Sequence, residues 1–145
     1  MSDNLILRTP LLSDLDDLLN WENDLKNNQH TDVPVFYTPS QIEDFLNSDH
    51  DLLLQNQIRY IIELNSSAVG CIDLYDYDMV NSRAGVGIYV DSNFRNKGIA
   101  SKSLELLKSI SMEKYLIYNL YADIMSDTLK RWVPITYDAF MDYRV

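Results

Sequence analysis

The apolar residues change period along the chain, and the changes divide it into elements. Leu5-Ile6-Leu7-Arg8 reads as a short opening strand that stops before Pro10. Leu15, Leu18, Leu19, Glu22 and Leu25 then recur at helical spacing, all but Glu22 apolar, with Ser13 expected as N-cap and Asp16 at its third position. The polar run 27–32 closes that helix. A second helix opens on a stronger signal: Thr38 can cap, Pro39 suits the first turn, and Gln41 completes a capping box ahead of Ile42, Phe45 and Leu46. From Ile58 the residues become β-branched and aromatic. Segments 58–64 and 68–77 read as an antiparallel hairpin about Asn65-Ser66-Ser67, and 84–90 as a third strand of the run. A long helix follows over about 98–115, with Ile99, Leu104, Leu107 and either Ile110 or Ser111 on one face, and 118–125 is a last strand. The order β-α-α-β-β-β-α-β predicts an α+β fold, a mixed and mostly antiparallel sheet flanked by helices.

Composition narrows this to one globular domain over 1–145. A chain of 145 residues with 46% hydrophobic and 23% charged side chains should fold around a single core, and four glycines and four prolines leave no linker or low-complexity arm. The net charge of −10, from 22 acidic and 12 basic side chains, repels phosphate backbones and anionic lipid. Nucleic acid and membrane are therefore not expected partners, whereas small cationic amines, polyamines and basic protein tails are. Solubility alone is the competing explanation of that charge. No basic-then-apolar leader and no apolar run of about 18 residues occurs, so a cytoplasmic location is expected. The single Cys71 lies in an apolar strand and reads as a buried, inert thiol in a reducing compartment. His30 and His50 stand among polar residues without ligand spacing; both read as surface histidines, and no metal is expected.

The chemistry concentrates where a strand turns into the long helix: Ile88-Tyr89-Val90-Asp91-Ser92-Asn93-Phe94-Arg95-Asn96-Lys97-Gly98-Ile99-Ala100-Ser101. A helix starting near Gly98 presents unpaired N–H groups at its positive end, a ready site for an anion such as a pyrophosphate. Gly98 lets the backbone approach phosphates without a Cβ between, Ala100 and Ser101 keep the first turn narrow, and Arg95 and Lys97 add positive charge. No Walker A run is present, and the turn has one glycine where a dinucleotide fingerprint needs three. Gly85 and Gly87, inside the strand, suggest a bulge or close approach of a ligand.

Arg95-Asn96-Lys97-Gly98-Ile99-Ala100 resembles the Arg/Gln-x-x-Gly-x-Gly/Ala signature of GNAT N-acetyltransferases. Leu7-Arg8, Trp21-Glu22-Asn23-Asp24 and Val69-Gly70-Cys71-Ile72-Asp73-Leu74 look like the branch containing ribosomal-protein and spermidine N-acetyltransferases, and the likeness runs over about 1–127. The resemblance implies a GNAT-like fold with acetyl-CoA as co-substrate. It implies that Ile88, Tyr89 and Val90 run beside the pantetheine arm, and that Arg95, Asn96, Lys97, Gly98, Ile99, Ala100 and Ser101 hold or flank the pyrophosphate. Direct transfer of acetyl to a primary amine, of a polyamine or a protein N-terminus, would follow. A backbone N–H near Tyr89 or Val90 could polarise the carbonyl, and a carboxylate or tyrosine could take the amine proton. Asp73 and Glu63 are catalytic candidates on the central strands, Asp76 is a weaker one, and solvent-facing strand residues remain the alternative for each. Spermidine-type relatives carry a glutamate where this chain has Gly85, so the base does not carry over. Trp21, Glu22, Tyr37 and Tyr75 are candidates for the amine pocket, with simple packing as the alternative for Trp21.

The resemblance breaks down after 127. The family follows its fifth strand with an Asn-led helix, a tyrosine that serves as general acid, and two more strands. Here Thr128 stands for the asparagine, Ile135 falls where the tyrosine should be, and Pro134 would break the helix. Segment 128–145 is thus expected to be an atypical tail, as in an altered or truncated C-terminus, with Tyr137 the one nearby phenol. Without the last two strands, 118–125 is expected to present an open edge, covered by the tail or by a second copy in a homodimer. Two functional classes stay open: an active amine N-acetyltransferase, and a non-catalytic acetyl-CoA-binding or interaction domain on the same fold.

Overall fold

The computed structural model describes residues 4–24, 37–125 and 130–134. Six strands form one sheet in sequence order: β1 (Leu5–Arg8), β2 (Ile58–Leu64), β3 (Ser67–Asp78), β4 (Arg83–Val90), β5 (Asn119–Met125) and β6 (Lys130–Pro134). All neighbours are antiparallel except β4 and β5, which the long helix between them makes parallel. Strand alternation gives the sheet two apolar faces. Ile62, Ile72, Leu74, Val86 and Val90 face α4 (Ile99–Tyr115), which lays Leu104 and Leu107 on them. Ile61 and Cys71 face the other way, toward Leu18 and Trp21 of α1 (Leu15–Glu22) and Ile42 and Leu46 of α2 (Pro39–Leu46). A single turn of helix, α3 (Leu52–Gln55), follows α2 in the chain and adds the buried Leu52 to the core that α4 covers; the period reading missed it because four residues are too few to show a repeat.

Two turns follow directly from their residues. Thr38 Oγ1 accepts from the Gln41 N–H at 3.2 Å while Gln41 Oε1 accepts from the Thr38 N–H at 2.8 Å, the capping box expected for α2. Asn65 and Ser66 both take positive φ, 48° and 72°, so the β2–β3 hairpin closes on a two-residue primed turn.

Three expectations are corrected. Ser13 does not cap α1. The chain makes a short 3-10 turn over Leu12–Asp14 first, because the buried Asp14 carboxylate accepts two hydrogen bonds from Arg8, at 2.8 and 2.9 Å, and one from the Leu11 N–H at 2.7 Å. Burial alone would raise the Asp14 pKa; these donors outweigh it and hold the carboxyl below its ordinary range. The bulge is not at Gly85 or Gly87. It lies on β3 between Tyr75 and Asp78, where Asp76 takes a φ of 49°, and Gly85 instead makes room for the Tyr75 ring, whose Cε2 would lie 2.4 Å from an added Cβ. Finally, one closing strand does form where none was expected: β6 pairs antiparallel with β5 from Met125↔Lys130 to Tyr121↔Pro134, so of the two covers expected for that edge it is the tail, in regular strand form, that supplies it. Proline fits because it stands at the last position of a short edge strand. That pairing removes the reason for invoking a second copy at this edge.

Candidate functional site

The β4–β5 ladder is short. Arg83, Ala84 and Gly85 pair with Asn119, Leu120 and Tyr121, and from Tyr121 onward β5 pairs with β6. On that side Val86–Val90 therefore has no partner strand among the described residues, and every second main-chain amide and carbonyl of this stretch points into a cleft. The same strand end runs directly into the N-terminus of α4. Between them Asn96 and Gly98 both take the left-handed conformation, with φ of 64° and 76°, which aims successive backbone N–H groups at one point. Ile99 and Ala100 open the first turn, where backbone N–H groups have no acceptor inside the helix. A Cβ built on Gly98 meets nothing within 4 Å, so the space in front of these donors is open. Val90, Phe94, Arg95, Asn96, Gly98, Ile99, Ala100 and Ser101 line a concavity of about 70 Å³ there. A pyrophosphate fits this donor set in charge and in hydrogen-bond sense.

The side chains expected around the anion are placed unevenly. Arg95 bends back so that Nε donates to the Val90 carbonyl at 2.8 Å, and its guanidinium lies 5.3 Å from the Tyr89 ring centre. Lys97 lies over the Phe94 ring, 5.6 Å from its centre. Ile88 packs toward α4, whereas Tyr89 faces α1 and donates its hydroxyl to Asp24. Burial, and then that hydrogen bond to Asp24, push the Tyr89 phenol pKa well up.

A second, larger cavity of about 360 Å³ lies on the α1–α2 side of the sheet. Its lining includes Glu22, Tyr37, Phe45, Asp49, His50, Arg59, Asp73 and Tyr75. Three of the four residues expected in an amine pocket, Glu22, Tyr37 and Tyr75, are brought together here. The fourth, Trp21, is buried with its indole N–H donating to Asp91 at 3.0 Å, and it lines neither cavity. His50, read from sequence as a surface histidine, is half-buried on the cavity wall with its ring edge-on to Phe45, 5.2 Å between centres; His30 lies outside the described residues.

The sequence reading gave Arg59 no role, yet it organises this cavity. Its Nε and Nη2 each donate to one oxygen of Asp73 at 2.8 Å, Nη1 donates to Glu22, and its guanidinium stands 5.8 Å from the Phe45 ring centre. Opposite apolar Ile72 on strand alternation, Arg59 and Asp73 form a cross-strand pair in the β2–β3 register, which a hairpin drawn from the sequence could have shown. Asp73 also sits across from Gly87 on β4, with Oδ2 at 3.9 Å from where a Gly87 Cβ would be, so the carboxylate lies beside the stretch of β4 that leaves β5. Glu63, by contrast, accepts from Arg8 at 2.8 Å at the β1–β2 edge, away from both cavities, and Asp76 sits in the β3 bulge. Tyr137 lies outside the described residues. Cys71 is buried beneath this face; burial pushes its thiol up to about 12, so it stays protonated and inert at neutral pH.

Comparison with known proteins bears on this geometry. The family model for an acetyltransferase (GNAT) domain matches residues 4–130. In sequence the chain is 27% identical over 109 residues to the uncharacterized N-acetyltransferase p20 of Bacillus licheniformis, which covers 73% of this chain and 61% of that protein. The chain thus spans 61% of the length of the curated relative it matches. Solved structures of the same fold include the microcin C7 self-immunity acetyltransferase MccE in complex with acetyl-CoA and AMP, at TM-score 0.70 and 22% identity over 87% of this chain and 72% of that one. The Vibrio cholerae spermidine N-acetyltransferase in complex with CoA and spermine aligns at TM-score 0.67 and 19% identity, over 81% of this chain and 69% of that one. The ribosomal L7/L12 alpha-N-protein acetyltransferase RimL in complex with coenzyme A aligns at TM-score 0.68 and 19% identity, over 86% and 73%.

Proposed function

The chain belongs to the GNAT acetyltransferase family, and from that premise we propose that it binds acetyl-CoA where β4 meets α4 and transfers the acetyl group to a primary amine. The observation that carries the reading is the coincidence, at one point, of an unpaired β4 edge with an N-terminal nest on α4. The nest of 96–101 would hold the pyrophosphate through backbone N–H groups, and the edge of Val86–Val90 would hydrogen-bond the pantetheine arm as a partial extra strand. Acetyl-CoA, when bound, supplies an activated thioester. A backbone N–H at Tyr89 or Val90 would polarise its carbonyl.

The acceptor enters from the 360 Å³ cavity. Glu22, Asp49 and Asp73 set three carboxylates against the single guanidinium of Arg59 on its wall, an excess of negative charge that suits an ammonium. Asp73, beside Gly87, is the carboxylate placed to take the amine proton, directly or through water, as the attack proceeds; Tyr137 is the proposed acid for the leaving thiolate. A small polyamine or a protein N-terminus is the acceptor class, in line with relatives named for spermidine and for a ribosomal protein. The cytoplasm is the proposed compartment, from the lone reduced Cys71. Among the described residues no helix is long and apolar enough to cross a membrane.

The test is thiol release from acetyl-CoA against a panel of spermidine, N-terminal peptides, and neutral and anionic amines. Turnover should favour the cationic acceptors and fall as salt screens the cavity charge. A preference for anionic acceptors, or no turnover with any amine, would contradict the reading.

A further inference from the structure

The last turn of α1 and Asp24, two residues beyond it, touch the end of β4 that leads to α4 at two points. The Trp21 indole N–H donates to Oδ2 of Asp91 at 3.0 Å, and the Tyr89 hydroxyl donates to Asp24. Asp91 is the first residue beyond β4, and each of its polar groups is used. Oδ1 accepts from the Asn93 N–H at 3.0 Å, its carbonyl accepts from the Phe94 N–H at 2.8 Å, and its own N–H donates to the Val69 carbonyl at 2.8 Å. One carboxylate therefore closes the turn that leads to Gly98 and also ties it to a helix 70 residues earlier. The turn's other anchors are the Arg95 Nε bond to the Val90 carbonyl at 2.8 Å and the packing of Phe94 against the core. Ser92, Asn93, Asn96, Lys97 and Gly98 are exposed, Phe94 and Arg95 only half-buried, so little apolar burial fixes its position.

We propose that Trp21 and Asp91 are positioning residues for the cofactor: the indole N–H holds the Asp91 carboxylate, and the carboxylate holds the turn that aims the backbone donors of 96–101. This assigns Trp21 to the cofactor side although it lines neither cavity, and it rests on the reading that those donors bind the CoA pyrophosphate. The physical link is direct. Without the indole donor, Oδ2 of a half-buried carboxylate turns to water, and the turn loses one of the two tethers that this side chain provides. The donors at the start of α4 then have to be ordered by the ligand itself, at the expense of affinity.

The experiment is calorimetric titration of coenzyme A into the parent, Trp21→Phe, Asp91→Asn, Asp91→Ala and, as control, Ile61→Val. Trp21→Phe keeps an aromatic ring against Tyr89, 6.1 Å away in the parent, and removes the donor together with part of the buried ring, a packing loss that Ile61→Val controls for. Its Kd for CoA should rise about three- to tenfold, the scale of one lost buried hydrogen bond. Asp91→Ala should lose more, and Asp91→Asn should lie between because one side-chain oxygen still accepts. Ile61→Val loosens the same core without touching the turn, so its Kd should match the parent's even where its stability falls. A folded Trp21→Phe with the parent's Kd, or an equal weakening in Ile61→Val, overturns the proposal while the cofactor reading stands. Should Trp21→Phe not fold, the Asp91 pair decides: equal Kd for Asp91→Asn, Asp91→Ala and the parent overturns it. A parent that binds no CoA overturns both.

Discussion

Gly98 is the residue on which the proposed cofactor site turns. Its φ of 76° is a conformation that a β-branched side chain resists, and the empty space before it is the space a phosphate would fill. Gly98→Val should therefore act twice, by straining the entry to α4 and by placing methyl groups among the donors. We expect CoA affinity to fall more than about tenfold while the helix content stays, since the strain falls on the one residue ahead of α4 and the 17 residues that follow sustain the helix. Calorimetry with far-UV circular dichroism checks it; a Gly98→Val protein with the parent's affinity would show that the anion binds elsewhere. The positive φ at the start of α4 was legible in sequence, because a glycine between a short basic run and a following helix marks such a turn. The role of Arg59 was not. Its partners Glu22 and Asp73 come from two other elements, α1 and β3, and only the register of the hairpin and the docking of α1 bring the three together.

Among the elements, α2 was the most legible, because its start is encoded in adjacent residues: Thr38, Pro39 and Gln41 form the cap as read. Thr38→Ala removes the Oγ1 acceptor of the reciprocal pair, leaving the backbone N–H half, and should cost about 1 kcal/mol of stability. Chemical denaturation measures this, and an unchanged midpoint with an unchanged slope would contradict the role of the cap. α1 was legible as a helix but not in its first residue, since Arg8 on β1 draws Asp14 into an ion pair and moves the N-cap one residue on, from Ser13 to Asp14. Local patterns cannot report a partner supplied by a different strand. β6 was missed for a related reason: Pro134 argues against a helix or a central strand, yet it is compatible with the end of a five-residue edge strand, and only the pairing with Tyr121 selects that outcome.

For the whole molecule, the fold is an accounting of two sheet faces and one gap. α4 covers one face, α1 and α2 the other, and the gap opens where β5 leaves β4 for β6 at Tyr121. The element order predicted the faces, because each helix carries an apolar stripe that must be buried. The gap could not be read from the order alone: it depends on how many residues of a parallel ladder pair before the strands part, which is three here. The central claim is that this gap, with the start of α4, is the cofactor site. Residue-resolved amide exchange with and without CoA tests it most directly. The account predicts slowed exchange at the amides of 86–90 that face away from β3 and at 96–101, with β1 and β2 unchanged. Slowing confined to other parts of the sheet, or none at 86–90 and 96–101 at saturating CoA, would contradict it.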